Sequence, residues 1–590
     1  MSRNPGRTLP ATLALVAALG LTPGCGRSEE ARTAQVPPAA APAPAAQGPA
    51  EPAGPPPPEV QAAVQGVIES GHHPWLTWPE IPGAVPHLRA LYAAEPDGLF
   101  WFAGPSAHPA LAGALQTLAQ AETQGLDPAD YDARLLAEKW EAMSASPNDR
   151  ALFDVALTVS AMRLLQSVHW GRVDPRLVGF DYDVTAKLLD LATELRTARD
   201  RGGLAAAVAA AEPQFPVYRR LVKALGEYRA LVAAGEPEPV PALAAKQKKV
   251  EPGKPWAGVT ALAARLRTFG DLPADAPLPE TAPDGTPLYA GALVDAVKRF
   301  QGRHALEPDG VIGPGTIETL NVPAAARVRQ IELALERERW LPEMRREPHV
   351  FVNVPLFRLW AYDPAAPDEP LRMNVVTGKS LGHKTPIFIG QMQYVIFRPY
   401  WSPPPSIVRS EIVPHARRDP SYIERQNMEI VASGDERAPA LPPTPDNLDK
   451  VAAGKLFVRQ KPGEKNSLGL AKFIFPNSEN VYMHGTPAQS LFARARRDFS
   501  HGCIRLEDPP RLAEWVLRDQ PEWTRERIDA AMKGERPTQV NLKQKLTVFL
   551  FYDTAYVDSK GVVYFADDYY GHDAQLEKAL AHGYPYPRKS

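Results

Sequence analysis

Cysteine is nearly missing from this chain: Cys25 and Cys503 are the only two in 590 residues. With Cys25 removed or acylated near the amino terminus, Cys503 has no partner and no disulfide framework exists. Charge of one sign is missing as well. Lys and Arg number 66 against 68 Asp and Glu, a balance that argues against a general nucleic-acid binder. Long apolar runs are confined to the start of the chain. Beyond it no stretch has the 18 or so consecutive apolar residues of a membrane span, so the remainder is expected to be soluble.

What is there begins with "MSRNPGRTLPATLALVAALGLTPGC". Arg3 and Arg7 give a positive start, and the apolar run Leu9 to Leu21 has the length of a signal-peptide core. Residues 1–25 are read as an export signal. Thr22-Pro23-Gly24-Cys25 resembles the cleavage box of bacterial lipoproteins, whose cysteine is lipidated; an ordinary cleaved signal is the alternative. Residues 26–59 are rich in Pro and Ala ("VPPAAAPAPAAQGPAEPAGPPPP", 36–58) and read as a semi-rigid tether. In an oxidising compartment a solitary thiol is a liability, which directs attention to Cys503 as a nucleophile, with a buried inert cysteine as the plainer reading.

Residues 60–255 are rich in Ala, Leu, Glu and Arg, and Leu157, Ala161, Leu164, Leu165 and Val168 mark an amphipathic helix ending at Gly171. A helical scaffold is expected there, with a boundary near Pro255. In 256–323, Val294, Val297, Phe300 and Gln301 share a helical face, Pro308-Asp309-Gly310 turns, and Thr316, Ile317 and Leu320 begin another helix. This pattern resembles the small three-helix peptidoglycan-binding module, although a plain helical spacer has the same outline. Residues 324–346 read as a helix returning to the scaffold.

From 347 to 575 the runs "HVFVNVPLFRLWAY", "QMQYVIFRPYW", "AKFIFP", "NVYMHG" and "LTVFLFYDTAYVD" have strand composition. The expected fold class is therefore α+β and multidomain, with a β-rich sandwich or barrel following the helical parts. "TGKS" lacks the first glycine of a phosphate loop, since residue 373 is Met373. Residues 407–467 read as an insertion suited to a lid or to a plain surface loop, and 576–590 as a tail.

Alternation in "NVYMHG" puts Val481 and Met483 on one face and Tyr482 and His484 on the other, leaving His484 on an open face at a strand end. Cys503 lies just before a helix that Asp508 can cap, with Pro509 in its first turn and Leu512, Trp515 and Val516 on its buried side. A thiol with an ordinary pKa near 8.5 needs a base or a positive charge to react at neutral pH. Of the two nearby histidines, His501 sits in the same tight turn and is poorly placed, whereas His484 comes from a separate element. Ser500-His501-Gly502-Cys503 presents consecutive N–H groups suited to an oxyanion, with Gly502 allowing close approach.

His484-Gly485 followed by Ser500-His501-Gly502-Cys503-Ile504-Arg505 resembles the signature of the L,D-transpeptidases of bacterial cell walls, and the flanking sequence resembles their large multidomain Gram-negative type. The resemblance implies that Cys503 attacks the carbonyl of a third stem residue, releasing the terminal D-alanine, and that His484 moves the proton with its ring oriented by the Gly485 carbonyl. An amine of a second peptidoglycan stem then resolves the thioester into a crosslink; water in its place gives carboxypeptidase activity. His501 shapes the site, and Arg505 binds a carboxylate or pairs with Glu507 or Asp508. Tyr400, Trp401, Tyr482 and Ser500 are candidate substrate contacts, although such aromatics are more often core. Arg494, Arg496 and Arg497 read foremost as a solvated basic face.

The resemblance implies no cofactor or metal. It implies stem peptides as donor and acceptor, other cell-wall synthases as possible partners, a periplasmic location with membrane attachment only through the signal or a lipid on Cys25, a role in cell-wall biogenesis and shape, and acylation by carbapenems. Two other readings stay open. His484, His501 and Cys503 are all common zinc ligands, though in an uncommon spacing and without a visible fourth ligand. The chain also fits a wall-binding structural protein with an inactive catalytic region.

Overall fold

The computed structural model describes residues 56–586 apart from 145, 278–279, 344–346, 368, 436 and 585. The signal segment, Cys25 and the tether up to residue 55 lie outside the described residues. At the centre of the scaffold is α1 (Pro147–Trp170), started by the Ser146 side chain, which accepts from the Asp149 amide, and ended at Gly171. Leu157, Ala161, Leu164, Leu165 and Val168 are buried as their spacing predicts, but Asp154 and Arg163 are buried as well. The helix is thus surrounded rather than amphipathic. Asp154 is satisfied by Tyr92 and the Phe100 and Trp101 amides. By length and composition α1 could cross a membrane; here it is the core of the scaffold.

Following α1, the short strand β1 (Phe180–Asp181) leaves the scaffold, and α2 (Pro216–Ala234) returns to it. Three helices then form a small module: α3 (Val259–Thr268), α4 (Ala292–Arg303) and α5 (Pro314–Leu320). Its core holds Leu266, Val297, Phe300 and Leu320, and it also takes in Val240 and Val250. The module therefore recruits chain upstream of the boundary expected near Pro255. Gln301 fastens its turn by accepting from the Gly310 amide and donating to the Val311 carbonyl. Helix α6 (Ala324–Glu338) lays Ile331 and Leu335 against Leu221 and Leu225 of α2.

The β-rich part contains β2 (His349–Asn353), β3 (Arg358–Tyr362), β4 (Leu371–Gly378) and β5 (Ile387–Phe397). A cap comes next, with α7 (Val413–Arg418), β6 (Met428–Val431), α8 (Pro445–Ala452) and β7 (Phe457–Gln460). Then come β8 (Ala471–Ile474), β9 (Met483–His484), β10 (Asp498–Ser500), β11 (Ile504–Leu506), helix α9 (Pro509–Val516) and the long β12 (Thr538–Phe551). The strand order β8-β9-β11-β4-β3-β2-β12-β5 closes on itself because β5 also pairs with β8. Closure removes the free edges that make open sheets prone to aggregation. Strand β1 adds to β5 from the scaffold, and β10 pairs with β4.

Two further differences from expectation concern the termini of this region. The cap has a core of its own, with Ile412, Val413, Ile430, Leu448 and Val458 buried together, and its base is closed where Trp401 and Gln460 exchange main-chain hydrogen bonds. The expected tail does not begin at 576, because α10 (His572–Leu580) runs across that point and buries Leu576 and Leu580.

Candidate active site

Strand pairing assembles the site. Lys472 of β8 stands directly opposite His484 of β9, and His484 stands beside Arg505 of β11. Directly paired residues project from the same face of a sheet. Phe473, Met483 and Ile504, one step away in each strand, all enter the core, so Lys472, His484 and Arg505 form a row on the opposite face. Cys503 precedes Ile504, which donates its amide to the Tyr482 carbonyl. Tyr482 and Cys503 therefore flank the same row. Helix α9 fixes the end of the segment: Asp508 accepts from the Arg511 amide, and Leu512 and Val516 are buried.

The turn before Cys503 is braced from several sides. Ser500 Oγ donates to the Cys503 carbonyl at 2.6 Å and accepts from the Gly502 amide at 3.1 Å. Gly502 has φ +114°, a conformation that L side chains rarely adopt. Its carbonyl accepts from Thr385 Oγ1 at 2.8 Å, and Tyr570 braces the facing segment by donating to the Gly378 carbonyl and accepting from the Thr385 amide. Ser500 is thus occupied within the turn and does not offer itself to a ligand. The Gly502 amide is occupied too, so of the consecutive N–H groups expected to face an oxyanion, the His501 and Cys503 amides are those without an acceptor among the described residues.

His484 is buried, at 5 % exposure, rather than open as its strand position suggests. The ring is held by the Gly485 carbonyl, which accepts from Nδ1. A carbonyl only accepts, so Nδ1 carries the proton and Nε2 keeps its lone pair. Burial, with Arg505 and Lys472 acting in the same direction, lowers the imidazole to about 3 against the pull of the Gly485 hydrogen bond. Burial pushes the Cys503 thiol up, opposed by hydrogen bonding from Tyr482 and by Lys472 and Arg505. At neutral pH the resting site holds a neutral imidazole and a neutral thiol.

His501 turns away from this row. Its Nε2 meets Glu411 of the cap at 3.1 Å, and its ring lies 4.6 Å from that of His383. Of the three residues of the zinc reading, His501 therefore points away from the face that His484 and Cys503 share, and among the described residues no group of three or more His, Cys, Asp or Glu is placed to hold a metal ion. Arg505 pairs with neither Glu507, which receives the Asn374 backbone and side-chain amides, nor Asp508. Arg496 pairs with Asp498, and Arg497 is buried, donating to the Val375 and Phe357 carbonyls. The basic run is therefore only partly a solvated face.

Between cap and sheet lies a cavity of about 670 Å³, lined among others by Tyr400, Val408, Val431, Val458 and Lys472. Tyr400 borders it under the Arg459 guanidinium, while Trp401 packs against the cap core. Sequence reasoning missed Lys472 and Glu411. The first lies in an ordinary-looking strand, "AKFIF", and only register places it beside His484. The second belongs to a cap helix that nothing local connects to His501.

The closed barrel thus brings a thiol and a buried imidazole to one face of neighbouring strands, an arrangement in which a base can act on a nucleophile. Residues 347–574 match the L,D-transpeptidase catalytic domain, residues 257–320 a peptidoglycan binding domain, and residues 86–225 a scaffold domain. The barrel part of the chain is thus similar to the L,D-transpeptidase catalytic domain, and the segments before it to a scaffold and a peptidoglycan binding domain. A Haemophilus influenzae protein provisionally named an L,D-transpeptidase is 29% identical over 254 residues, covering 42% of this chain and 49% of that protein. The chain therefore spans about half the length of this curated relative.

Proposed function

We propose that the protein is an exported, cysteine-dependent L,D-transpeptidase that crosslinks peptidoglycan stems through their third residues. The observation that carries the reading is the placement of Cys503 beside Tyr482, one strand from an imidazole whose free nitrogen is Nε2. Cys503 Sγ attacks the carbonyl of the third residue of a donor tetrapeptide while His484 Nε2 takes the thiol proton. The negative charge that gathers on the carbonyl oxygen is met by main-chain amides of the turn. As the C–N bond breaks, His484 returns the proton to the departing D-alanine amine, leaving a thioester. The amine of a second stem then attacks, His484 accepts its proton and gives it to the departing sulfur, and an amide crosslink replaces the thioester.

Such chemistry belongs outside the cytoplasm, in keeping with the signal-like start of the sequence and the peptidoglycan-binding module. Intact-protein mass spectrometry after incubation with a carbapenem tests the nucleophile. The unmodified protein is expected to gain one drug mass and Cys503→Ser none. An unmodified protein that stays at its own mass sinks the reading.

A further inference from the structure

Lys472 and Arg505 flank His484 across three neighbouring strands, and among the described residues neither has a carboxylate partner. Buried or half-buried cations are ordinarily paired, because leaving water costs them solvation. Acids in neighbouring segments are spent elsewhere: Glu507 on Asn374, Asp508 on the start of α9, and Glu429 on Arg459 and Lys461. The ammonium of Lys472 rests 3.9 Å from the centre of the Tyr482 ring, and Tyr482 adjoins Cys503. Of the titratable groups near Lys472 and Arg505, the one that raises either of them is the Cys503 thiol. Lys472 also lines the cavity beneath the cap, where Arg459 is already neutralised and Arg409 lies at the exposed side.

We propose that Lys472 and Arg505 form a subsite for the free terminal carboxylate of the acyl donor. The assignment rests on Cys503 being the nucleophile. A terminal carboxylate one residue beyond the attacked carbonyl lies about 3.8 Å from it, one residue's span. Strands spaced about 4.8 Å apart bring the Lys472 side chain within reach of that position. The pair therefore selects a donor that ends one residue after the attacked bond, and it disfavours a longer or amidated one. The carboxylate also offsets the two cations that add to burial in holding His484 uncharged, so binding the correct donor raises the basicity of the imidazole when a proton must be taken.

Two matched peptides test this: a donor tetrapeptide with a free carboxylate and the same peptide as its terminal amide. With the unmodified protein, kcat/KM for the acid should exceed that for the amide by at least about tenfold, the worth of one charge-assisted contact. Lys472→Met should shrink that preference by slowing the acid donor several-fold more than the amide, and Lys472→Arg should restore much of it, with melting temperature unchanged across the set. Equal slowing of both donors by Lys472→Met would mean that the residue serves the thiol or the fold, and overturns the subsite. Binding to Cys503→Ala, read by titration calorimetry, separates this proposal from the catalytic one. There the acid should bind at least tenfold tighter than the amide, and the difference should shrink in Cys503→Ala/Lys472→Met. No difference in Cys503→Ala overturns the subsite even if carbapenem labels Cys503 as expected. A difference without labelling keeps carboxylate recognition at Lys472 but overturns its assignment to an acyl donor, because that assignment needs Cys503 as nucleophile.

Discussion

The imidazole of His484 meets a carbonyl on one side and cations on two others, and no water reaches most of it. Its folded pKa near 3 lies below the ordinary value of 6.5, so as pH falls the unfolded chain takes up the proton first. The resulting stability is fully present above about 6.5 and is lost as pH falls towards 3. Between about pH 7 and pH 4.5, guanidinium unfolding should show the unmodified protein losing on the order of 2 kcal/mol more than His484→Gln. Equal losses would mean that the imidazole is not held neutral. The thiol gives a second pH signature. Because burial raises Cys503 above the ordinary thiol range, alkylation by a neutral reagent in the free protein should have its midpoint above that range, and Lys472→Met should move it higher still. A midpoint near neutrality would indicate a resting thiolate–imidazolium pair instead.

Among the elements, the cap stands apart because it folds around its own apolar cluster and joins the barrel through the paired Trp401 and Gln460. Ile430, buried in that cluster, is expected to cost about 2–4 kcal/mol on truncation to Ala, and the cost should stay local. Hydrogen exchange should quicken in Met428–Val431 and Phe457–Gln460 while the main unfolding transition hardly moves; a matching fall in the main transition would show that cap and barrel unfold as one. Much at this scale was legible in the sequence. Alternation placed Val481 and Met483 inward, the Asp508-Pro509 start of α9 announced itself, and Gly171 ended α1. What local pattern did not contain was register. The row of Lys472, His484 and Arg505 arises from pairing between segments separated by turns and by a 3₁₀ turn at Gln489–Ala493, and no residue in any one strand records its partner. The burial of α1 on nearly all faces was hidden for a related reason, since Asp154 and Arg163 look like surface residues until their distant partners arrive.

For the molecule as a whole, Glu336 ties α6 to the scaffold at a buried junction. It accepts from the Arg172 and Val173 amides and from the Arg172 and Arg339 side chains. Burial pushes its carboxyl up, but Arg172, Arg339 and these amides together hold it below the usual range. Glu336→Ala leaves Arg172 and Arg339 buried without it and should cost about 3–5 kcal/mol, read as a lower melting temperature; an unchanged one would mean that the junction carries no strain from losing its anion. The last described residues return to the first domain: Tyr586 reaches Asp130, and Arg163 lies over the Tyr584 ring at 4.4 Å. Contacts spanning 456 positions close late in synthesis, and so distant a closure slows folding. A chain cut before Tyr584 leaves Asp130 and Arg163 without these partners, and that open seam offers the scaffold to proteases.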